Sequence, residues 1–109
     1  MSLFIAMNHF DVDPQRAEEF EARWRERESQ LQEVPGFLRF ALLRGETPGQ
    51  YVSHSSWVSR DAFEAWTRSE AFRRAHAGAR MPEGVVRGHP RLSTFEALLE
   101  QEPSTSDSS

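Results

Sequence analysis

Hydrophobic and polar positions along this chain trace four strand-like and two helix-like stretches. Residues 3–10, LFIAMNHF, form an apolar run closed by DVDP, the pattern of a buried strand. Alternation puts Phe4, Ala6, Asn8 and Phe10 on one face, and Ile5, Met7 and His9 on the other. Further on, Ala17, Phe20, Trp24 and Leu31 recur at roughly helical spacing against an outer face of Glu and Arg. Asp13 is placed to cap this helix, Pro14 suits its first turn, and Glu18 and Glu19 favour its positive end. The spacing predicts a helix over about 14–32, stopped by Pro35 and Gly36. FLRFALLRG and YVSHSSWVS read as a hairpin joined by ETPGQ. A second helix is predicted over about 60–78, opened by Ser59 or Asp61 and ending near Gly78. Segment 77–91 is broken by Gly and Pro and reads as a loop longer than a connector needs. RLSTFEALLE alternates weakly as a strand, and the Ser-rich residues 101–109 read as a disordered polar tail.

Residues 1–100 thus carry the order β-α-β-β-α-β, which predicts one α+β domain, a ferredoxin-like sandwich. Two helices cover one face of a four-stranded sheet and leave the other bare. A second copy of the chain is the simplest cover, so a homodimer is expected.

Composition narrows the function. A chain of 109 residues holds one core, and 38% hydrophobic content with eight Phe and three Trp is enough to form it. The net charge of −4 argues against nucleic acid or an anionic membrane as the main partner. The absence of cysteine excludes disulfides, thiolate chemistry and zinc–sulfur sites. No apolar run approaches the roughly 20 residues that span a bilayer. The start, MSLFIAMNHF, shows neither a basic leader nor a cleavage pattern. A cytoplasmic protein is expected. His9, His54 and His89 have no spacing to His76 that marks a metal cluster, and no HExxH or paired-carboxylate motif occurs.

The second helix holds the most informative pattern. FEAWTRSEAFRRAH sets Trp66 and His76 ten residues apart, about 15 Å along a straight helix axis. On a wheel, Phe63, Trp66 and Phe72 form the apolar face, beside a shallow strip of Ala62, Ala65 and Ser69 with His76 at its end. Small side chains there leave room for something flat. Asn8 is an amide on a strand face otherwise apolar, where an unsatisfied polar group is costly. It calls for a partner, either backbone or a bound ligand. Taken singly, a Trp on an inner helix face reads as core, and a His near a helix C-terminus as a dipole contact.

Residues 53–76, SHSSWVSRDAFEAWTRSEAFRRAH, closely resemble the W-x-S-x-x-A-F-x-x-W-x-x-S-x-x-F-x-x-A-H stretch of the IsdG-type haem-degrading monooxygenases, within the antibiotic-biosynthesis-monooxygenase superfamily. Trp57, Ser59, Ala62, Phe63, Trp66, Ser69, Phe72, Ala75 and His76 fall on the pattern, AMNHF resembles its first strand, and VPGF its first turn. The resemblance implies the superfamily's dimeric α+β barrel. It also implies His76 as axial ligand to haem iron, Asn8 as the distal amide that donates to bound dioxygen, and Trp66 as the ring that ruffles the porphyrin. Haem would be cofactor and substrate at once, with O2 and an external reductant, from an unidentified reductase, completing a ring opening that frees iron. Phe63 and Phe72 would form apolar walls, and Arg80, Arg87, His89 and Arg91 would meet the haem propionates.

Two other readings share this fold: a cofactor-independent monooxygenase acting on an aromatic or quinol, and a non-catalytic haem-binding protein. The ring-cleavage product is not legible in the residues.

Overall fold

A computed structural model describes residues 3–26, 31–78 and 81–104, without the side chains of 75–78. Four strands build one antiparallel sheet: β1 (Phe4–Val12), β2 (Phe37–Arg44), β3 (Gln50–Trp57) and β4 (Val86–Glu96), in the order β2-β3-β1-β4. Among the described residues three α-helices accompany it: α1 (Ala17–Glu26), α2 (Arg60–Thr67) and α3 (Glu70–Gly78). This is the ferredoxin-like α+β arrangement expected, with the second helical unit divided in two. Among the described residues, no helix is long and apolar enough to cross a membrane.

Register fixes which side chains share a face. Phe4 pairs with Trp57, Ala6 with Ser55, Asn8 with Ser53 and Phe10 with Tyr51 across β1–β3. Directly opposed residues share a face. The covered face therefore carries three legible rows: Phe4 and Trp57; Phe40, Ser55, Ala6 and Thr94; Leu42, Ser53, Asn8 and Leu92. The helices pack Phe4, Trp57 and Ala6 at one end of this face and Phe10 and Tyr51 at the other. The third row is polar at its centre.

Burial follows those rows. One buried cluster holds Phe4, Ala6, Leu31, Trp57 and Phe63, with Trp66, Ala62, Phe37 and Val34 against it. The other holds Val12, Phe20, Tyr51 and Val85, with Phe10, Trp24, Leu42 and Met81 against it. Phe20 and Trp24 of α1 thus serve the second cluster, and Phe63 and Trp66 of α2 serve the first.

Several boundaries differ from those the sequence predicts. Pro14–Arg16 and Leu31–Glu33 are 3₁₀ turns, so the regular part of the first helix is shorter than 14–32. Residues 27–30, inside that expected helix, lie outside the described residues. Asp13 does cap the start: its carboxylate accepts from the Gln15 N–H at 3.0 Å. The expected loop 77–91 is largely strand, since β4 already begins at Val86 and ends at Glu96 rather than Glu100. Gly and Pro misled there because β4 is an edge strand carrying a bulge. Its register shifts opposite Phe10, between the pairs His9–Arg91 and Asp11–Arg87. Gly88 takes φ +66° there, and edge bulges are where Gly and Pro are tolerated in sheets.

The expected helix 60–78 breaks after Thr67. The Ser69 hydroxyl donates to the Trp66 carbonyl at 2.6 Å and accepts from the Phe72 N–H at 3.1 Å. One serine therefore ends α2 and caps α3, the competition with helix that short hydroxyl side chains offer. Glu70 follows in the first turn of α3, where the dipole favours it. The 15 Å axial separation of Trp66 and His76 assumed one straight helix and does not carry over.

Gly36 sets how closely α2 approaches the sheet. It sits at φ +83°, and a Cβ there would run into the Cβ of Ala62. Gly36→Ala is expected to destabilise the fold by about 2 kcal/mol or more, through backbone strain and overpacking together. Urea unfolding followed by tryptophan fluorescence measures it; a change below about 0.5 kcal/mol would show that this approach is not tight.

Candidate functional site

Between the two buried clusters lies a cavity of about 310 Å3. That is near the lower end of the roughly 300–1,000 Å3 of small-molecule sites. Its floor is the covered sheet face, from Ala6, Asn8, Phe10, Ser53 and Ser55. Phe63, Trp66 and Phe72 wall one side and Arg23, Trp24 and Phe40 the other. Pro90 and Leu92 of β4 close the edge. The lining is mostly apolar, so the polar groups within it carry the information.

Two of those polar groups are already engaged. The Ser55 hydroxyl accepts from the Trp57 indole N–H at 2.9 Å and faces the Ala6 carbonyl at 3.5 Å. The Thr67 hydroxyl donates to the Glu64 carbonyl at 2.8 Å. Asn8, Ser53 and Arg23 differ. Among the described residues, none of the three side chains forms a hydrogen bond or an ion pair. Asn8 and Ser53 are half-buried on the floor, while Arg23 is exposed at the rim.

The walls are held by ring contacts. Trp57, fully buried, lies 5.3 Å from Trp66 and edge-on to Phe37 and Phe63. Phe72 stands perpendicular to Trp66 at 4.7 Å, although the two belong to different helices. Opposite, Trp24 stacks on Phe40 at 5.6 Å and meets Phe10 edge-on. Such pairs add about 0.5–1.5 kcal/mol each beyond burial.

A charged latch fixes α1 over the sheet. Glu21, one turn before Arg25, receives Arg44 of β2 at 2.9 and 3.0 Å and Arg25 at 3.4 Å. The Tyr51 phenol donates to the same carboxylate. That phenol bond is the largest influence holding the Glu21 carboxyl below its ordinary value, with both guanidiniums adding to it against the effect of burial. Burial and the same bond push the Tyr51 phenol up.

The expected site residues distribute as follows. Asn8, Phe63, Trp66 and Phe72 line the one cavity. His76 belongs to α3, one turn beyond Phe72, and its side chain lies outside the described residues, as does the whole of Arg80. Arg87 pairs with Asp13 at 3.5 Å, and Arg87, His89 and Arg91 line a separate hollow with His9 and Asp11. Register explains it, because Arg91 opposes His9 on the helix-free face. These groups are therefore away from the cavity they were expected to serve. The strip of small residues is also elsewhere: Ala62, Ala65 and Ser69 line a hollow with Val34 and Pro35, and of the apolar face only Trp66 borders both spaces.

Sequence reasoning missed Trp24, Phe40, Ser53 and Arg23. Trp24 was legible as inward-facing but not as a cavity wall. Ser53 had one available signal, since it is polar two residues from Ser55 on a strand whose neighbours are aromatic.

Comparison with known proteins adds a second line of information. The family model described as "Antibiotic biosynthesis monooxygenase" matches residues 3–78. A mycobilin-producing heme oxygenase of Mycobacterium tuberculosis is 38% identical over 99 residues, covering 88% of this chain and 90% of its own. The structure of the heme-degrader MhuD from that organism, with two hemes in its active site, has a TM-score of 0.73 at 31% identity, covering 91% of this chain and 99% of that one. A mutant of MhuD with two manganese protoporphyrin IX molecules per active site gives 0.76 at 30% identity, covering 92% and 99%. The resemblance read in residues 53–76 is borne out.

The latch generates a pH-dependent expectation. A carboxyl held low contributes stability that is fully present above its ordinary value near 4.5 and is lost as pH falls through the lowered one. Tyr51→Phe removes the main cause, so it is expected to destabilise by about 1–2 kcal/mol at pH 7 and by less in acid. Urea unfolding at pH 7 and pH 3 checks this; a loss that is equal at both values would assign the effect to packing alone.

Proposed function

Because the chain belongs to the antibiotic biosynthesis monooxygenase family, we propose that it is a haem-degrading monooxygenase whose site is the cavity between the two clusters. The observation that carries this reading is the pairing of an aromatic-walled cavity with three polar side chains unpartnered among the described residues, Asn8, Ser53 and Arg23. Apolar walls suit the faces of a porphyrin, and a rim guanidinium with no ion pair among the described residues suits its carboxylates. The resident side chains fit that substrate.

Haem supplies both the iron that activates dioxygen and the ring carbon that is oxidised. The chain's own residues do the rest. His76 would supply the imidazole that holds the iron. Asn8 would donate its amide N–H from the floor to an oxygen ligand and so orient it. Trp66, backed by Trp57 and Phe72, would press on the ring and favour its bending. Arg23 fixes the ring's rotation by holding a propionate. Trp24 and Phe40 exclude water from the opposite side. An external reductant delivers the electrons, and opening the ring releases iron.

The active form is a homodimer. Its support is the helix-free face, where Ile5 faces Phe95 and Val52 faces Leu43, with Leu43 and Phe95 exposed. Leu98 and Leu99 beyond β4 are 92% and 87% exposed in a single chain. Phe95→Glu is expected to shift the mass measured by light scattering from dimer to monomer; a mass unchanged from wild type would place the interface elsewhere.

The test of the site uses two variants. His76→Ala is expected to lose the sharp Soret band that haemin develops on the wild-type protein. Asn8→Ala is expected to keep that band and lose at least about ten-fold in turnover with ascorbate, the range of one positioned donor at a charge-developing atom. Equal Soret spectra for His76→Ala and wild type would remove His76 as the ligand. Absence of any band in wild type would favour a cofactor-independent oxygenase.

A further inference from the structure

Resting on that reading, we infer that Ser53 is a second ligand-contacting residue, whose hydroxyl converges with the Asn8 amide on one atom of a small ligand bound at the cavity floor. The row that crosses the covered face is Leu42, Ser53, Asn8, Leu92. Its two central members sit on the two central strands and are directly opposed in the β1–β3 register. Opposed side chains of an antiparallel pair have Cβ atoms about 4.5–5.5 Å apart, so the two polar ends reach one shared atom above the floor.

The neighbouring serine gives the contrast. Ser55, one row along, is tied down by the Trp57 indole and lies beside the Ala6 carbonyl, so its hydroxyl is already committed. Ser53 has neither an indole nor a carbonyl within hydrogen-bond geometry among the described residues, and it lines the cavity. Between Leu42 and Asn8 in its row, Ser53 makes no structural hydrogen bond through its hydroxyl among the described residues. Both side chains are half-buried without a protein partner among the described residues, so a ligand that displaces water from the floor must answer both, at a cost of about 1–3 kcal/mol for each one it leaves unanswered. An amide N–H and a rotatable O–H are complementary in kind. The amide donates in a fixed direction, whereas the hydroxyl donates to the ligand and accepts from water. Together they fit an electron-rich diatomic or triatomic ligand better than they fit the apolar ring face.

The experiment measures azide binding to the haemin-loaded protein, with haemin affinity as the control. Ser53→Ala is expected to leave the haemin dissociation constant within about two-fold of wild type and to weaken azide roughly three- to ten-fold, the effect of one hydrogen bond. Ser53→Thr keeps the hydroxyl and is expected to restore azide affinity, which a merely structural role would not do. Asn8→Ala serves as the reference for the same atom. If Asn8→Ala weakens azide and Ser53→Ala does not, the inference is wrong while the haem reading stands. Equal weakening of haemin and azide by Ser53→Ala makes the residue structural and also overturns it. If wild type fails to bind haemin, the functional reading itself is overturned, and the inference goes with it.

Discussion

The covered face of the sheet is polar at its centre, and much of the molecule follows from that. Asn8 and Ser53 oppose each other on the two inner strands, in the row between Ala6–Ser55 and Phe10–Tyr51. Helices that closed over them with apolar side chains would strand an amide and a hydroxyl away from water, a penalty comparable to several buried methylenes. The core instead forms twice, once around Trp57 and once around Phe20, and a cavity remains between. Two half-cores in so short a chain leave little margin, since a domain of this size is stable by only about 5–15 kcal/mol in all.

Such a gap stays open only if its walls are fixed from behind. On one side Trp57 does this, fully buried and bonded through its indole N–H to Ser55, with Trp66 and Phe63 leaning on it. On the other side Glu21 gathers Tyr51, Arg44 and Arg25, which pins α1 and so sets where Arg23 and Trp24 stand. The latch is mostly shielded at its carboxylate, where the side chain is 14% exposed, while both guanidiniums lie open to solvent. Its strength therefore comes from geometry and the phenol bond more than from exposed charge. The break between α2 and α3 completes the frame. By turning the chain at Ser69 it brings Phe72 perpendicular to Trp66, a contact a continuous helix would not make in this form.

Much of this was legible in the sequence, for physical reasons. Period-two alternation in residues 4–10 placed Asn8 on the same face as Ala6 and Phe10, because a strand's side chains obey that period strictly. The pairing of Phe63, Trp66 and Phe72 at one cavity was also legible, through helical spacing and through family resemblance. The strip of Ala62, Ala65 and Ser69 does share one side, but Ser69 stands between the two helices and the strip lines a hollow apart from the main cavity. Ala62 is small because Gly36 passes against it, a tertiary contact no local pattern announces. The break at Ser69 was hidden for a similar reason, since a serine caps or continues a helix depending on one hydroxyl bond. Gly88 and Pro90 read as loop because propensity cannot see that a strand lies at a sheet edge. Arg23 and Ser53 stayed invisible because their distinction is the lack of a partner, and partners are set by the fold.

The central claim is that this cavity holds haem and that its residues drive the ring's oxidation. The most direct measurement is a haemin titration of the wild-type apoprotein, followed by ascorbate in air with a ferrous chelator present. The account predicts a saturable Soret complex that bleaches with ascorbate, while the chelator reports about one iron released per haem degraded. A saturable complex that persists unbleached with ascorbate, and with a flavin reductase in its place, would contradict it and leave a haem-binding protein.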